Sequence, residues 1–81
     1  MIDDWILSPR AAEKLQRATP ELRLEFYQVL QLLLVDPLPD SVTKFRLHFG
    51  GHIGFWSASF LLAYSLEDDG TVLRVIDLRL R

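Results

Sequence analysis

Apolar residues in the first half of the chain recur at helical spacing. Ser8-Pro9 predicts a helix start, because serine accepts hydrogen bonds from first-turn amides and proline suits the first helical position. The apolar positions of this first helix are Ala11, Ala12, Leu15 and Ala18. Thr19-Pro20 repeats the start signal for a longer helix that ends at Asp36-Pro37, since proline disfavours helix at the residue before it. The tight connection predicts an antiparallel helical hairpin.

Beyond Asp40 the pattern changes to short stretches rich in β-branched and aromatic residues that alternate with polar ones, which predicts strands. The predicted strands cover residues 42–49, 52–57, 60–66 and 71–80. Gly50-Gly51 and Asp69-Gly70 provide reversals between them. Trp5-Ile6-Leu7 is a short apolar run that predicts part of a first strand before the helices. The order indicates an α+β fold, in which an N-terminal strand precedes a two-helix hairpin packed on a small twisted antiparallel sheet.

Length and composition indicate one small domain, residues 1–81. Apolar residues make up 49% of the chain, whereas a chain of this size buries only about 60–65% of its unfolded surface. Some apolar surface is therefore expected outside, where a partner would cover it. Met1-Ile2-Asp3-Asp4 lacks a signal-peptide pattern, and the apolar run at 32–35 is too short to cross a membrane. We therefore expect a cytoplasmic protein with no membrane partner.

The charge balance is unusual for a nucleic-acid-binding protein. The formal net charge is -2, whereas phosphate contacts normally require a basic surface. Basic residues nevertheless lie on or directly after the predicted strands, namely Lys44, Arg46, Arg74, Arg79 and Arg81. A local basic patch is therefore compatible with an acidic protein.

Taken together and in this order, several segments resemble the RelE/ParE superfamily of toxins from type II toxin–antitoxin systems. The resemblance rests on residues 5–15, the helix that closes on Asp36-Pro37, residues 44–47, residues 60–64 and the last strand up to Arg79. It implies a cytoplasmic toxin that a cognate antitoxin wraps and neutralises, with no metal and no cofactor. The RelE branch cleaves messenger RNA on the ribosome, and the ParE branch inhibits DNA gyrase.

In the RNase branch, basic side chains on the sheet orient the phosphate, stabilise its charge and help to activate the ribose 2′-hydroxyl. The resemblance carries a catalytic role to Lys44, Arg46, Tyr64 and Arg79, with Arg81 as an added RNA contact. The arginine expected in the middle strand falls on Leu61, and basic positions of the preceding strand fall on Gly54 and Trp56. Leucine has no charged donors for a phosphate, so the usual RNase centre is depleted.

Three further features have both functional and structural interpretations. Lys44 and Arg46 lie two apart, so they share a strand face as a phosphate-binding pair or as a solvated surface. His52 is a candidate RNA contact or general base, because histidine titrates near neutral pH; with His48 it finds no third metal ligand at convincing spacing. Phe55 and Trp56 are candidates for stacking on exposed bases, for anchoring a partner chain or for core packing. As neighbours they must point to opposite faces, and we expect one of them to meet a partner.

Three functions follow from these expectations and stay open at this stage. The chain is a toxin that acts on ribosome-bound mRNA, a toxin that acts on DNA gyrase, or an interaction module that keeps the toxin scaffold without toxicity. The depleted RNase positions and the acidic balance favour the gyrase interpretation over the RNase one.

Overall fold

The computed structural model describes residues 2–40, 44–47 and 52–81. Within them the chain forms two helices and five strands: β1 (Asp4–Leu7), α1 (Pro9–Gln16), α2 (Pro20–Val35), β2 (Lys44–Arg46), β3 (Ile53–Trp56), β4 (Phe60–Glu67) and β5 (Val72–Leu80). The predicted α+β class and the order of its elements are confirmed. The predicted strand residues at 42–43 and 48–49 and the reversal at Gly50-Gly51 lie outside the described residues.

Both helices begin where the serine–proline and threonine–proline pairs predict. Ser8 Oγ accepts a hydrogen bond from the Ala11 N–H at 3.1 Å, and Thr19 Oγ1 accepts one from the Leu22 N–H at 3.2 Å. Caps of this kind stabilise a helix by about 1 kcal/mol each. The Ser8 hydroxyl also donates to the Ile76 carbonyl at 2.6 Å, so the start of α1 is fixed against β5.

The sheet has the strand order β1-β5-β4-β3-β2. The four strands after the helices pair antiparallel, as predicted. β1 is an edge strand, but it pairs parallel with β5, from Asp4 opposite Val72 to Leu7 opposite Val75. The sheet is therefore mixed and not antiparallel throughout. This parallel pair is possible because the whole helical hairpin and three strands intervene between the two strands.

The connection between β4 and β5 differs in detail from the predicted Asp69-Gly70 turn. The backbone is left-handed at Asp68 (φ 52°), Asp69 (φ 58°) and Gly70 (φ 87°), and the Gly70 N–H donates to the Glu67 carbonyl at 3.1 Å. The two central turn residues are thus Asp68 and Asp69, one position earlier than predicted. Aspartate tolerates this conformation better than most residues, so the acidic run itself forms the turn.

The core lies between α2 and one face of the sheet. α2 contributes Phe26, Val29, Leu30 and Leu33, and the sheet contributes Ile53, Phe60, Leu62, Tyr64, Leu73, Val75 and Leu78. Ala11 and Leu15 bring α1 into the same cluster. Burial of this apolar surface is the main source of stability in a domain without disulfides. No helix in the described part of the chain has the length and apolar character needed to span a membrane.

The side of the sheet that faces away from α2 is the open face, and the strand register shows which residues lie on it. Alternate residues of a strand point to opposite faces, so positions between the core residues of β4 share the side away from α2. The strand pairing groups Phe45 with Gly54 and Ala63, and Trp56 with Leu61 and Arg79. These residues form the open face.

Candidate functional site

A groove of about 690 Å³ lies on the open face, beside the start of α1. Its lining comes from the start of α1, from the residue after β2 and the residue before β3, and from the first half of β4 with the second half of β5 that pairs with it: Ser8, Pro9, Arg10, Leu47, His52, Leu61, Ala63, Ile76, Asp77 and Arg79. The hydrogen bond from the Ser8 hydroxyl to the Ile76 carbonyl joins α1 to β5 at this groove, which both residues line. It contains three of the positions to which the sequence draws attention, His52, Leu61 and Arg79.

One row across the open face contains a single charged side chain. The register places Trp56 opposite Leu61 and Leu61 opposite Arg79. Trp56 and Leu61 are the positions where the family resemblance expects basic residues. The row therefore offers one guanidinium next to two apolar side chains. A phosphate would find little of the positive charge that its recognition requires.

The neighbouring part of the open face is closed by stacked aromatic rings. A Cβ at Gly54 would lie 2.9 Å from the Phe45 ring and 3.1 Å from the Leu47 side chain. Phe45 in turn stacks on Trp56, with ring centroids 6.5 Å apart and planes 25° apart. The Arg81 guanidinium lies 5.1 Å from the Trp56 ring centroid. Any side chain at Gly54 would therefore displace the Phe45 ring.

On the α1 side of the groove the carboxylate of Asp77 is neutralised by neighbouring positive groups, whereas the guanidinium of Arg79 is not neutralised by a carboxylate in the described part of the chain. Lys14 Nζ contacts Asp77 Oδ1 at 2.8 Å, the Leu78 N–H donates to the same oxygen, and Arg10 stands 3.8 Å from Oδ2. Burial alone would raise the pKa of Asp77, but Lys14, the Leu78 N–H and Arg10 together hold this pKa below its usual value. Among the described residues the Arg79 side chain has no ion-pair or hydrogen-bond partner. The groove therefore carries a small net positive charge.

Lys44 lies away from the groove, on the helix-covered face opposite Phe55. Its residue surface is 6% exposed, and Nζ contacts Asp36 Oδ2 at 3.1 Å and Asp40 Oδ2 at 3.2 Å. Burial lowers the pKa of the ammonium, and the two carboxylates outweigh burial, so the pKa lies above its ordinary value. The prediction that Lys44 shares a face with Arg46 holds, but the ammonium is occupied in a buried ion pair.

Tyr64 is also placed in the core. It is fully buried, and its hydroxyl donates to the Pro37 carbonyl at 2.6 Å. Burial raises its pKa far above the ordinary value, with the charges of Asp36 and Asp40 adding to the effect. Lys44 and Tyr64 together hold the segment that connects α2 to β2 in place, through contacts with Asp36, Asp40 and Pro37. Neither side chain reaches the open face.

The four side chains that the resemblance marks as catalytic are therefore divided between two faces. Arg46 is exposed and pairs with Ile53, which pairs with Tyr64, so these three share the helix-covered side. Arg79 alone lies on the open face. The structure does not bring Lys44, Arg46, Tyr64 and Arg79 into one site.

The remaining candidate residues lie closer together. His52 and Arg79 line the same groove, and Arg81 lies over Trp56 at its margin. Phe55 packs against the core while Trp56 is 52% exposed, which is the division that strand alternation predicts. A role in partner binding for this pair stays a prediction. His48 lies outside the described residues.

Sequence reasoning missed several residues that line the groove. Ala63 was detectable, because it lies two positions from Leu61 and must share its face. Arg10 and Ile76 had no such signal. Their position depends on the parallel pairing of β1 with β5, which brings the start of α1 next to β5.

Comparisons of sequence and of structure give different results. No family model matches the sequence, and no curated protein gives a significant match. The fold, in contrast, matches a chain of the archaeal RelE–RelB complex from Pyrococcus horikoshii OT3, with a TM-score of 0.79 over 100% of this chain and 97% of that chain, at 16% sequence identity. This chain has a RelE-like fold. The resemblance seen in the sequence is thus confirmed for the arrangement of helices and strands.

Proposed function

We propose that this chain is the toxin component of a type II toxin–antitoxin system, acting in the cytoplasm and neutralised by a cognate antitoxin. The observation that carries the proposal is the RelE-like fold over the full length of the chain, shared with a chain of a RelE–RelB complex. The α+β class and the order of the elements support this interpretation.

Exposed apolar surface supports the antitoxin partner. Large apolar side chains that are more than half exposed include Leu24, Leu32, Val35, Leu38, Trp56 and Leu80. Leu24, Leu32 and Val35 belong to the outer side of α2, opposite the side that packs on the sheet. Apolar patches of this kind on a small monomer are typical of protein interfaces. An amphipathic antitoxin segment would cover them.

Within this proposal, inhibition by binding a protein target is favoured over cleavage of RNA. Lys44 and Tyr64 are engaged on the helix-covered face, and Leu61 occupies the middle of the open face. Phosphoryl transfer needs several aligned positive groups around the phosphate, and the groove supplies few. DNA gyrase, the target implied by the resemblance to the ParE branch, is the first candidate.

Metal-independent cleavage of ribosome-bound mRNA is the second candidate, because His52 and Arg79 line one groove. His52 would remove the proton from a ribose 2′-hydroxyl as its oxygen attacks the neighbouring phosphorus. Arg79 would stabilise the charge on the non-bridging oxygens. The 5′-oxygen would leave with a proton from solvent.

Pulse labelling distinguishes the two candidates. The chain is induced alone in a bacterial cell, and incorporation of labelled thymidine and of labelled amino acids is followed side by side. An early fall in thymidine incorporation supports gyrase, and an early fall in amino-acid incorporation supports mRNA cleavage. Continued growth with neither fall contradicts the toxin proposal and favours the interaction module.

Substitutions in the groove sharpen the test. If RNA cleavage is the activity, His52→Ala and Arg79→Ala each abolish the fall in amino-acid incorporation. Arg17→Ala is the matched control, because the Arg17 side chain is 80% exposed, forms an ion pair with Glu13 on α1 and does not line the groove. If binding to gyrase is the activity, His52→Ala leaves the inhibition intact.

A further inference from the structure

We propose that the groove on the open face binds an extended peptide segment that presents apolar and acidic side chains on the same side. An apolar side chain of the segment would lie on Leu61 and Ala63, and a carboxylate on that same side would pair with Arg79. The inference rests on the proposed function only in naming the antitoxin as the protein that supplies this segment. The peptide site itself follows from the geometry and charge of the groove.

The floor of the groove favours apolar side chains. Leu61, Ala63 and Ile76 line it and are all partly exposed to solvent, so a ligand that covers them removes apolar surface from water. A nucleic-acid backbone presents phosphates and hydroxyls, which gain nothing from leucine and alanine. Leu61 and Ala63 also lie two residues apart on one strand, a separation of about 7 Å. An extended peptide repeats its own side chains on one side at the same spacing.

The charges at the edge of the groove favour a carboxylate. The Arg79 side chain has no hydrogen-bond or ion-pair partner among the described residues, and the Arg10 side chain is 73% exposed, with its guanidinium at the long distance of 3.8 Å from Asp77. Asp77 is already satisfied by Lys14 at 2.8 Å, so it does not neutralise both arginines. A guanidinium binds a carboxylate through parallel hydrogen bonds. Two arginines beside one matched aspartate suit one or two carboxylates, not a continuous polyanion.

Short synthetic peptides and isotope-labelled protein test the inference. The probe is an acetylated and amidated peptide that repeats leucine–serine–glutamate–serine, so that leucine and glutamate fall on one side of the extended chain. It is titrated into the full chain while backbone amide signals are recorded by NMR. We expect shifts in β4 and β5 around Leu61, Ala63 and Arg79. Peptides with lysine in place of glutamate, or serine in place of leucine, should bind about tenfold more weakly or worse.

Protein variants locate the site. Arg79→Glu should weaken binding of the glutamate–leucine peptide by about tenfold or more, and Arg17→Glu should change it by less than about twofold. Ala63→Phe places a bulky ring on the floor of the groove and should abolish peptide binding. Ala63 is partly exposed, so the larger side chain has room outside the core. The amide spectrum of each variant shows independently that it is folded.

Three results overturn the inference. The first is a serine-substituted peptide that binds as tightly as the peptide with leucine. The second is the absence of binding by both of these peptides. The third is a short single-stranded oligoribonucleotide that shifts the same amide signals in an Arg79-dependent way while the peptides do not. Growth inhibition measured on the same variants separates the two proposals. A toxic chain without peptide binding refutes only the groove assignment, whereas peptide binding without toxicity refutes only the toxin assignment.

Discussion

Replacement of Lys44 by methionine tests whether its buried ammonium stabilises the fold or takes part in chemistry. The side chain is 7% exposed, and it contacts two carboxylates that are themselves 69% and 39% exposed, Asp36 and Asp40. Methionine keeps most of the volume of the lysine stem, which packs on the helix-covered face. The substitution therefore removes the charge and the two ion-pair contacts with little loss of packing.

Two opposing contributions set the size of the effect. A hydrogen bond to a charged group contributes about 1.5–3 kcal/mol, but exposed carboxylates regain water when the ammonium leaves, so only part of this is lost. Removal of the ammonium also relieves a desolvation cost of several kcal/mol, as when other buried ion pairs are replaced by apolar residues. We expect Lys44→Met to change the free energy of unfolding by no more than about 1 kcal/mol.

The opposite perturbation should be more damaging. Asp36→Asn with Asp40→Asn keeps the shape of both side chains but leaves the Lys44 ammonium buried without a counter-charge. A buried charge that loses its partners costs about 3–5 kcal/mol, and the remaining amide oxygens reduce this to about 2 kcal/mol. The double variant should therefore be clearly less stable than Lys44→Met.

Urea unfolding followed by tryptophan fluorescence measures these differences, with the slope of each transition as a check on two-state behaviour. Growth inhibition by each variant is measured in parallel. A Lys44→Met variant that is as stable as the wild type but no longer inhibits growth would refute the structural role. So would a double asparagine variant that is more stable than Lys44→Met.

Two further predictions concern pH. Tyr64→Phe removes the hydrogen bond to the Pro37 carbonyl and should cost about 1 kcal/mol at neutral pH. Because the native pKa of Tyr64 lies above the unfolded value of about 10, wild-type stability should fall above about pH 10. Urea titrations should show a steeper fall for the wild type than for Tyr64→Phe. Hydrogen bonds from Ser57 and Ser59 lower the pKa of Glu25. Glu25→Gln should therefore cost about 1 kcal/mol at pH 7, and less as the pH falls through the lowered pKa and the wild-type carboxylate gains a proton. Thermal unfolding that shows an equal loss in acid would contradict this prediction.

The parts of the fold that could be predicted from the sequence are those decided by local chemistry. Ser8-Pro9 and Thr19-Pro20 place both helix starts, because a cap and a proline act within one turn. The pairing of β1 with β5 could not be predicted in the same way. It joins residues 4–7 to residues 72–75, and a run as short as Trp5-Ile6-Leu7 contains no information about its partner or direction.

The candidate site was harder to predict because it depends on which face of the sheet α2 covers. Alternation places Lys44 and Arg46 on a shared face, but only the docking of α2 and the position of Asp36 show that this face is covered and that Lys44 is ion-paired there. The substitutions at Leu61 and Gly54 were visible in the sequence. Their consequence, an apolar groove beside Arg79, needed the register between strands.

The division of the expected catalytic side chains between two faces is a property of the register, so rotation of side chains cannot reverse it. Lys44 pairs with Phe55, whereas Arg79 aligns through Leu61 with Trp56. A slip of one residue in β2 would exchange the faces of all its side chains, removing Lys44 from its carboxylates and placing Phe45 on the helix-covered side. Growth assays on Lys44 and Arg79 variants therefore report on opposite faces of the sheet. Loss of inhibition with Arg79→Ala but not with Lys44→Met would assign the activity to the open face.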